Sequence, residues 1–125
     1  MGEAKVTADG ARLSGEVTFA VQPELPPVAV LRIRLLDTTY ADAPALVLSE
    51  LLLPNVAGEA NAGRPLAFRV QAEGVNPRST YTLMAHVSLA GGEKIQPGDY
   101  MSTQSYPVIT FGHPTHVTVI VERIE

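Results

Sequence analysis

The sequence has no cysteine and no tryptophan. Without cysteine there is no disulfide, no thiol nucleophile, no thiolate-held zinc and no lipid attached at a cysteine of this chain. Positive charge is also scarce: nine Lys and Arg stand against thirteen Asp and Glu, a net charge of −4. No basic cluster offsets that balance, so a phosphate backbone is repelled on average and nucleic acid is not an expected partner. Long apolar runs are missing too. The most apolar stretch, Ala43 to Ala57, is broken by Glu50 and Pro54 and is too short to span a bilayer. Met1-Gly2-Glu3-Ala4-Lys5 lacks a basic start followed by an apolar region, so no signal peptide is read in the chain as it stands. Val6 occupies the place where a myristoylation pattern needs Ser or Thr. A cysteine-free domain is stable in oxidising and reducing compartments alike, so cytoplasm and envelope both stay open on these grounds.

What is present is a globular composition, with 46% apolar and 18% charged residues. A chain of 125 residues fits one domain, 1–125, able to bury a core without staples. Leu13 to Val21 alternates, with Leu13, Val17, Phe19 and Val21 on one face and Ser14, Glu16, Thr18 and Gln22 on the other. That period of two marks a half-buried strand. Pro23, Pro26 and Pro27 break it, since proline cannot donate to a ladder. Val28 to Leu36, Leu66 to Ala72 and Tyr81 to Leu89 alternate in the same way. Tyr106 to Phe111 and Thr115 to Ile124 read as two further strands. Asn55 to Pro65 and Glu93 to Gln104 read as loops, and Gly91-Gly92 as a tight reversal.

Ala45 to Leu53 is ambiguous between a short helix and a strand buried on both faces. Its length and the closing Pro54 favour a strand. Strand parity places Leu46, Leu48 and Leu52 on one face and Val47, Leu51 and Leu53 on the other, so one set lies away from the core. The expected architecture is all-β, an antiparallel sandwich of about seven strands of immunoglobulin or transthyretin type, with a small closed barrel as the alternative. Val17, Phe19, Leu31, Ile33, Phe68, Val70, Leu83, Val87 and Val119 are the expected inward residues.

Catalytic patterns are absent. There is no phosphate cradle and no nucleophile elbow, and no cofactor is expected. The histidines are the only candidate metal ligands: His113 and His116, three apart, and His86 on the polar face of its strand. Two imidazoles and a carboxylate suffice for zinc or copper, but His113 sits in a turn before Pro114, where the rings diverge, so no metal site is assigned. Gly91 to Asp99 lacks the Asp-x-Asp-x-Asp of a calcium loop. The remaining candidates belong to partner binding. They are Tyr40 and Tyr100, in expected loops, and Leu51 and Leu53, on an expected edge strand. The expected function is therefore binding a protein or peptide, not catalysis. Two other readings are a purely structural domain and, further off, a metal carrier.

Two stretches resemble the YbaY/YscW-like lipoprotein family. One runs from Leu25-Pro26-Pro27 through Val28–Asp37 into Ala41-Asp42-Ala43-Pro44-Ala45. The other joins Asn76-Pro77-Arg78, Tyr81, Ala85-His86-Val87, Pro97-Gly98-Asp99-Tyr100 and Ser105-Tyr106-Pro107-Val108-Ile109-Thr110. Together they cover about residues 13–124 in matching order. The resemblance implies a β-sandwich in the periplasm and, for some members, a pilotin role. A pilotin is a small chaperone escorting an outer-membrane secretin, so a secretin segment is the partner the resemblance implies. It supplies no catalytic motif. Pro26, Pro27, Asp37, Asp42, Pro44 and Pro107 read as determinants of turns and strand ends. The chain departs from the family in having no lipobox cysteine.

Overall fold

A computed structural model describes residues 11–40 and 42–125. The N-terminal residues Met1–Lys5 and Val6, on which the reading of the leader rests, lie outside the described residues, as does Ala41 of the family-like stretch.

Among the described residues, eight strands and one short helix follow one another: β1 (Ala11–Phe19), β2 (Val30–Asp37), β3 (Leu46–Leu53), α1 (Ala57–Asn61), β4 (Leu66–Ala72), β5 (Tyr81–Ser88), β6 (Tyr100–Ser102), β7 (Tyr106–Val108) and β8 (His116–Arg123). They form one continuous sheet in the order β3-β2-β5-β6-β8-β1-β4, with β7 also paired to β5. The sheet curls until its two outer strands face each other. The all-β class is as expected, and of the two architectures the barrel-like one is observed: a single nearly closed sheet replaces two stacked sheets. One neighbouring pair, β1 with β8, is parallel.

Alternation explains the wall. In β1, β4 and β5 the odd–even pattern of apolar and polar residues becomes an inner and an outer face, with Leu13, Val17, Phe68, Val70, Leu83 and Val87 buried. Leu31, Ile33, Leu35, Val119 and Val121 complete the inner lining. Phe19, expected inside, is only half-buried, its ring edge-on to Tyr100 at 5.1 Å. Val21, read as a core residue of the first strand, lies beyond the end of β1 and is exposed.

The proline-rich connector after β1 and the α1 segment after β3 leave from the same end, because β1 and β3 run in the same direction through the chain of pairings. They are bound to each other there. The Leu25 N–H donates to Asn61 Oδ1 at 2.7 Å, and Gln22 Nε2 donates to the Ala60 carbonyl at 2.9 Å. Leu25, Val56 and Ala60 are buried beneath them, so this end of the barrel is closed. The helix lies within Asn55 to Pro65, the segment whose composition predicts a loop. It is five residues long, too short to show the 3.6-residue period in sequence.

Two further differences lie in the second half. Glu93–Gln104 is not wholly irregular, since it contains β6. The strand read over Tyr106–Phe111 stops at Val108. Ile109 then takes φ 74°, and the Thr110 N–H donates to the Val108 carbonyl at 2.9 Å, closing a three-residue turn around a β-branched residue.

Candidate functional site

β3 settles the ambiguous segment. It is a strand, paired antiparallel to β2, with Leu31↔Leu53, Ile33↔Leu51 and Leu35↔Ser49. The register then shifts, so that Leu36 faces Val47 and Leu48 is the extra residue of a β-bulge. The bulge breaks the parity on which the sequence reading relied. Leu48, Leu51 and Leu53 all pack against the core, whereas Leu46, Val47 and Leu52 are 68%, 53% and 48% exposed. The division into Leu46/Leu48/Leu52 and Val47/Leu51/Leu53 is thus corrected: Val47 and Leu48 exchange sides.

Among the described residues, β3 pairs only with β2, and β4 pairs only with β1. These two free edges bound a seam. Ser49 Oγ donates to the Gln71 carbonyl at 3.0 Å, a side-chain stitch in place of a backbone ladder. Beside the stitch a groove of about 590 Å³ opens, lined by Leu51 and Leu53 of β3, Ala67, Phe68 and Arg69 of β4, Ser14, Gly15 and Glu16 of β1, and His116. Leu51 and Leu53 point inward yet stay half-exposed, because no strand covers the β3 edge at their level.

Tyr40 is 73% exposed, in the β2–β3 connection, and lines a hollow of about 220 Å³ with Asp37, Ala43, Pro44 and Leu46. Asp37 accepts the Thr39 N–H at 3.0 Å, the local turn bond expected of a short acidic residue. Tyr100, read as a loop residue, lies on β6 opposite Val87 and Arg123 and is half-buried against Phe19. It does not line the seam groove.

The histidines separate. No group of three His, Asp or Glu able to hold a metal occurs among the described residues. His116 Nδ1 lies 2.8 Å from Ser14 Oγ in the groove, a pairing across 102 positions that no local motif could announce. His86, read as lying on a polar face, is buried instead. The loop after β5 folds over it, and its Nε2 sits 2.9 Å from Asp99 Oδ2. Asp99 also accepts the backbone N–H groups of Leu89 and Gln96, each at 3.0 Å. Burial alone raises a carboxyl pKa, but here the bonds from His86, Leu89 and Gln96 outweigh it and hold Asp99 below its usual range. An ionised carboxylate only accepts, so Nε2 carries the hydrogen.

On the outer face of β2 and β3, Glu50 accepts from Arg34 Nε at 2.7 Å and Arg32 Nη1 at 3.3 Å. The Arg34 bond is the main reason why the Glu50 pKa is lowered. Arg32 Nε is buried with no hydrogen-bond partner among the described residues.

The comparisons with known proteins agree with this geometry. A solved structure described as an alternative pilotin from the type II secretion system of Vibrio cholerae superposes with a TM-score of 0.75 at 23% identity. The match covers 93% of this chain and 98% of that one, so the two share a fold. No curated protein matches the chain. No helix among the described residues is long and apolar enough to cross a membrane. The family model described as the type III secretion system lipoprotein chaperone, YscW, matches residues 8–121, and the chain belongs to that family of secretion chaperones.

Proposed function

We propose that this chain is a non-catalytic escort of the cell envelope that holds a segment of an outer-membrane secretin in the seam groove, with the periplasm as its place of work. The observation that carries the reading is the groove itself: half-exposed leucines, Leu51 and Leu53, between two strand edges that no further strand pairs among the described residues. Membership of a family described as a lipoprotein chaperone supports a protein partner, and the likeness to a pilotin supports a secretin among possible ones. Tyr40 and the exposed Leu46 extend the apolar surface beyond one end of β3. Tyr100, edge-on to Phe19, adds at most the rim of its ring. The whole chain acts as one domain.

The test is calorimetric titration with overlapping short peptides that tile the cognate secretin. One peptide, or one overlapping pair, should bind at a single site. Leu51→Ser with Leu53→Ser should weaken it while far-UV circular dichroism is preserved. Leu52→Ser, on the opposite face of the same strand, should not. If no secretin peptide binds, or if Leu52→Ser is as damaging as the inward pair, the reading is wrong.

A further inference from the structure

We infer that the bound segment carries an acidic side chain, and that Arg12 and Arg69 receive its carboxylate in a second hollow beside the seam groove. This rests on the reading that the groove holds a secretin segment. Strand register places the two arginines. On the outer face of β1 and β4, Arg12 stands opposite Gln71, and Ser14 opposite Arg69. Arg12 and Arg69 are therefore diagonal neighbours, a spacing that long side chains can bridge. Ser14 is also level with His116 of β8. Its small side chain leaves a hollow of about 540 Å³ whose polar lining is Arg12, Ser14, Arg69, Gln71 and Thr115. Ser14 and Arg69 line the seam groove as well, so the two hollows adjoin.

Charge decides what this hollow takes. Among the described residues, the ion pairs engage Arg32, Arg34, Arg64 and His86, and neither Arg12 nor Arg69. Glu16 and Glu73, the carboxylates nearest along the two strands, do not line the hollow. It is thus a cationic patch on a chain whose net charge is −4. A guanidinium takes a carboxylate through two parallel hydrogen bonds, which a rigid fork favours. Ser14 adds a donor. Its Oγ lies 2.8 Å from His116 Nδ1. With the Nδ1 hydrogen donated to Oγ, the hydroxyl hydrogen is left for the guest. The adjoining groove presents half-exposed Leu51 and Leu53. The guest that matches both hollows sets apolar side chains over the leucines and an Asp or Glu beside Arg69.

The probe is the tightest-binding peptide of the tiling set, remade with each Asp changed to Asn and each Glu to Gln in turn. One of these changes should weaken binding about fivefold, the worth of a part-exposed ion pair. This arm does not depend on the folding of any variant. Arg12→Gln with Arg69→Gln should weaken the parent peptide by about the same factor, and the sensitive peptide change should then cost nothing further. High salt should erase the difference between the two proteins. Arg64→Gln with Arg78→Gln removes equal charge from residues that line neither hollow and should leave affinity as it was. Binding that no acidic substitution weakens, or a loss equal in both proteins, overturns the hollow's role while the secretin reading stands. So does a loss produced only by amidating the peptide's terminal carboxyl. Capture of phosphatidylglycerol vesicles through the two arginines, with peptide binding indifferent to them, overturns it too. Absence of binding by any peptide removes both.

Discussion

Replacing Gly15 with alanine tests whether the parallel contact between β1 and β8 holds the barrel together. Gly15 sits between Phe68 of β4 and Val117 of β8. A Cβ built there lies 2.0 Å from the Val117 carbonyl oxygen and 2.9 Å from Phe68 Cζ. The two contacts differ in kind. A ring edge can swing aside, but a backbone carbonyl moves only with its strand. In an open strand the change would help, since glycine costs about 0.5–1 kcal/mol relative to alanine. Here overpacking costs about 1–3 kcal/mol. A displaced carbonyl forfeits a ladder bond worth a further 0.5–1.5 kcal/mol or so. The net loss is roughly 2–3 kcal/mol, a fall of about 10 °C in Tm for a domain of this size. Thermal melts followed by circular dichroism measure it, alone and in a Phe68→Leu background. Most of the alanine penalty should persist in that background, because the carbonyl clash remains. A Gly15→Ala protein that melts at or above the parent, or a penalty that vanishes with Phe68→Leu, refutes the reasoning.

Three further outcomes concern the core, the buried Asp99 and the exposed histidines. Phe68→Ala removes a buried ring from the inner wall and should cost about 3–5 kcal/mol in denaturant titration; an unchanged midpoint would place that ring outside the core. The lowered pKa of Asp99 means that its contribution is present above the unfolded carboxyl range and is lost as pH falls below about 4. Asp99→Asn should therefore be less stable at neutral pH and show a flatter decline in acid than the parent; parallel curves would contradict the assignment. Zinc titration should give no tight one-to-one isotherm, and one abolished by changing His113 and His116 together would reinstate the metal carrier.

The strands that alternate cleanly were legible because one face meets the core and the other stays open to water, fully in β4 and in part in β1. Parity misled where a long-range feature intervened. In β3 the bulge at Leu48 is set by pairing with β2, so Val47 and Leu48 changed sides without any local sign. His86 follows the outward parity of Thr82 and Met84, yet it is buried because the loop carrying Asp99 folds across it. Nothing in an isolated strand pattern reports what a distant loop will cover. Gly15 is a similar case: its need arises from a carbonyl about a hundred residues away, across a parallel pair that no hairpin signal could announce. Of the candidate site, Leu51 and Leu53 were legible as leucines on an edge strand. Ser14, Arg69 and His116 were not, because only closure of the sheet brings them to the groove.

That closure is incomplete for a reason visible at the stitch. β3 and β4 run in opposite directions, so nothing in the topology forbids an antiparallel ladder between them. Ladder formation needs backbones about 4.8 Å apart with their N–H and C=O groups facing. At the nearest approach the acceptor is the Gln71 carbonyl, and the donor is the hydroxyl of Ser49. A side chain occupies the place of a backbone N–H. Ser49 shares the inner face with Leu51 and Leu53, through its pairing with Leu35, while Gln71 is exposed between buried Val70 and Ala72. Directly opposed residues of a ladder must share a face, so zipping β3 onto β4 at this register would set inward residues against outward ones. A slip of one residue would repair the parity but break the stitch. The seam is thus held near closure and kept from completing it, and the leucines beside it stay accessible in a barrel whose core is otherwise shut.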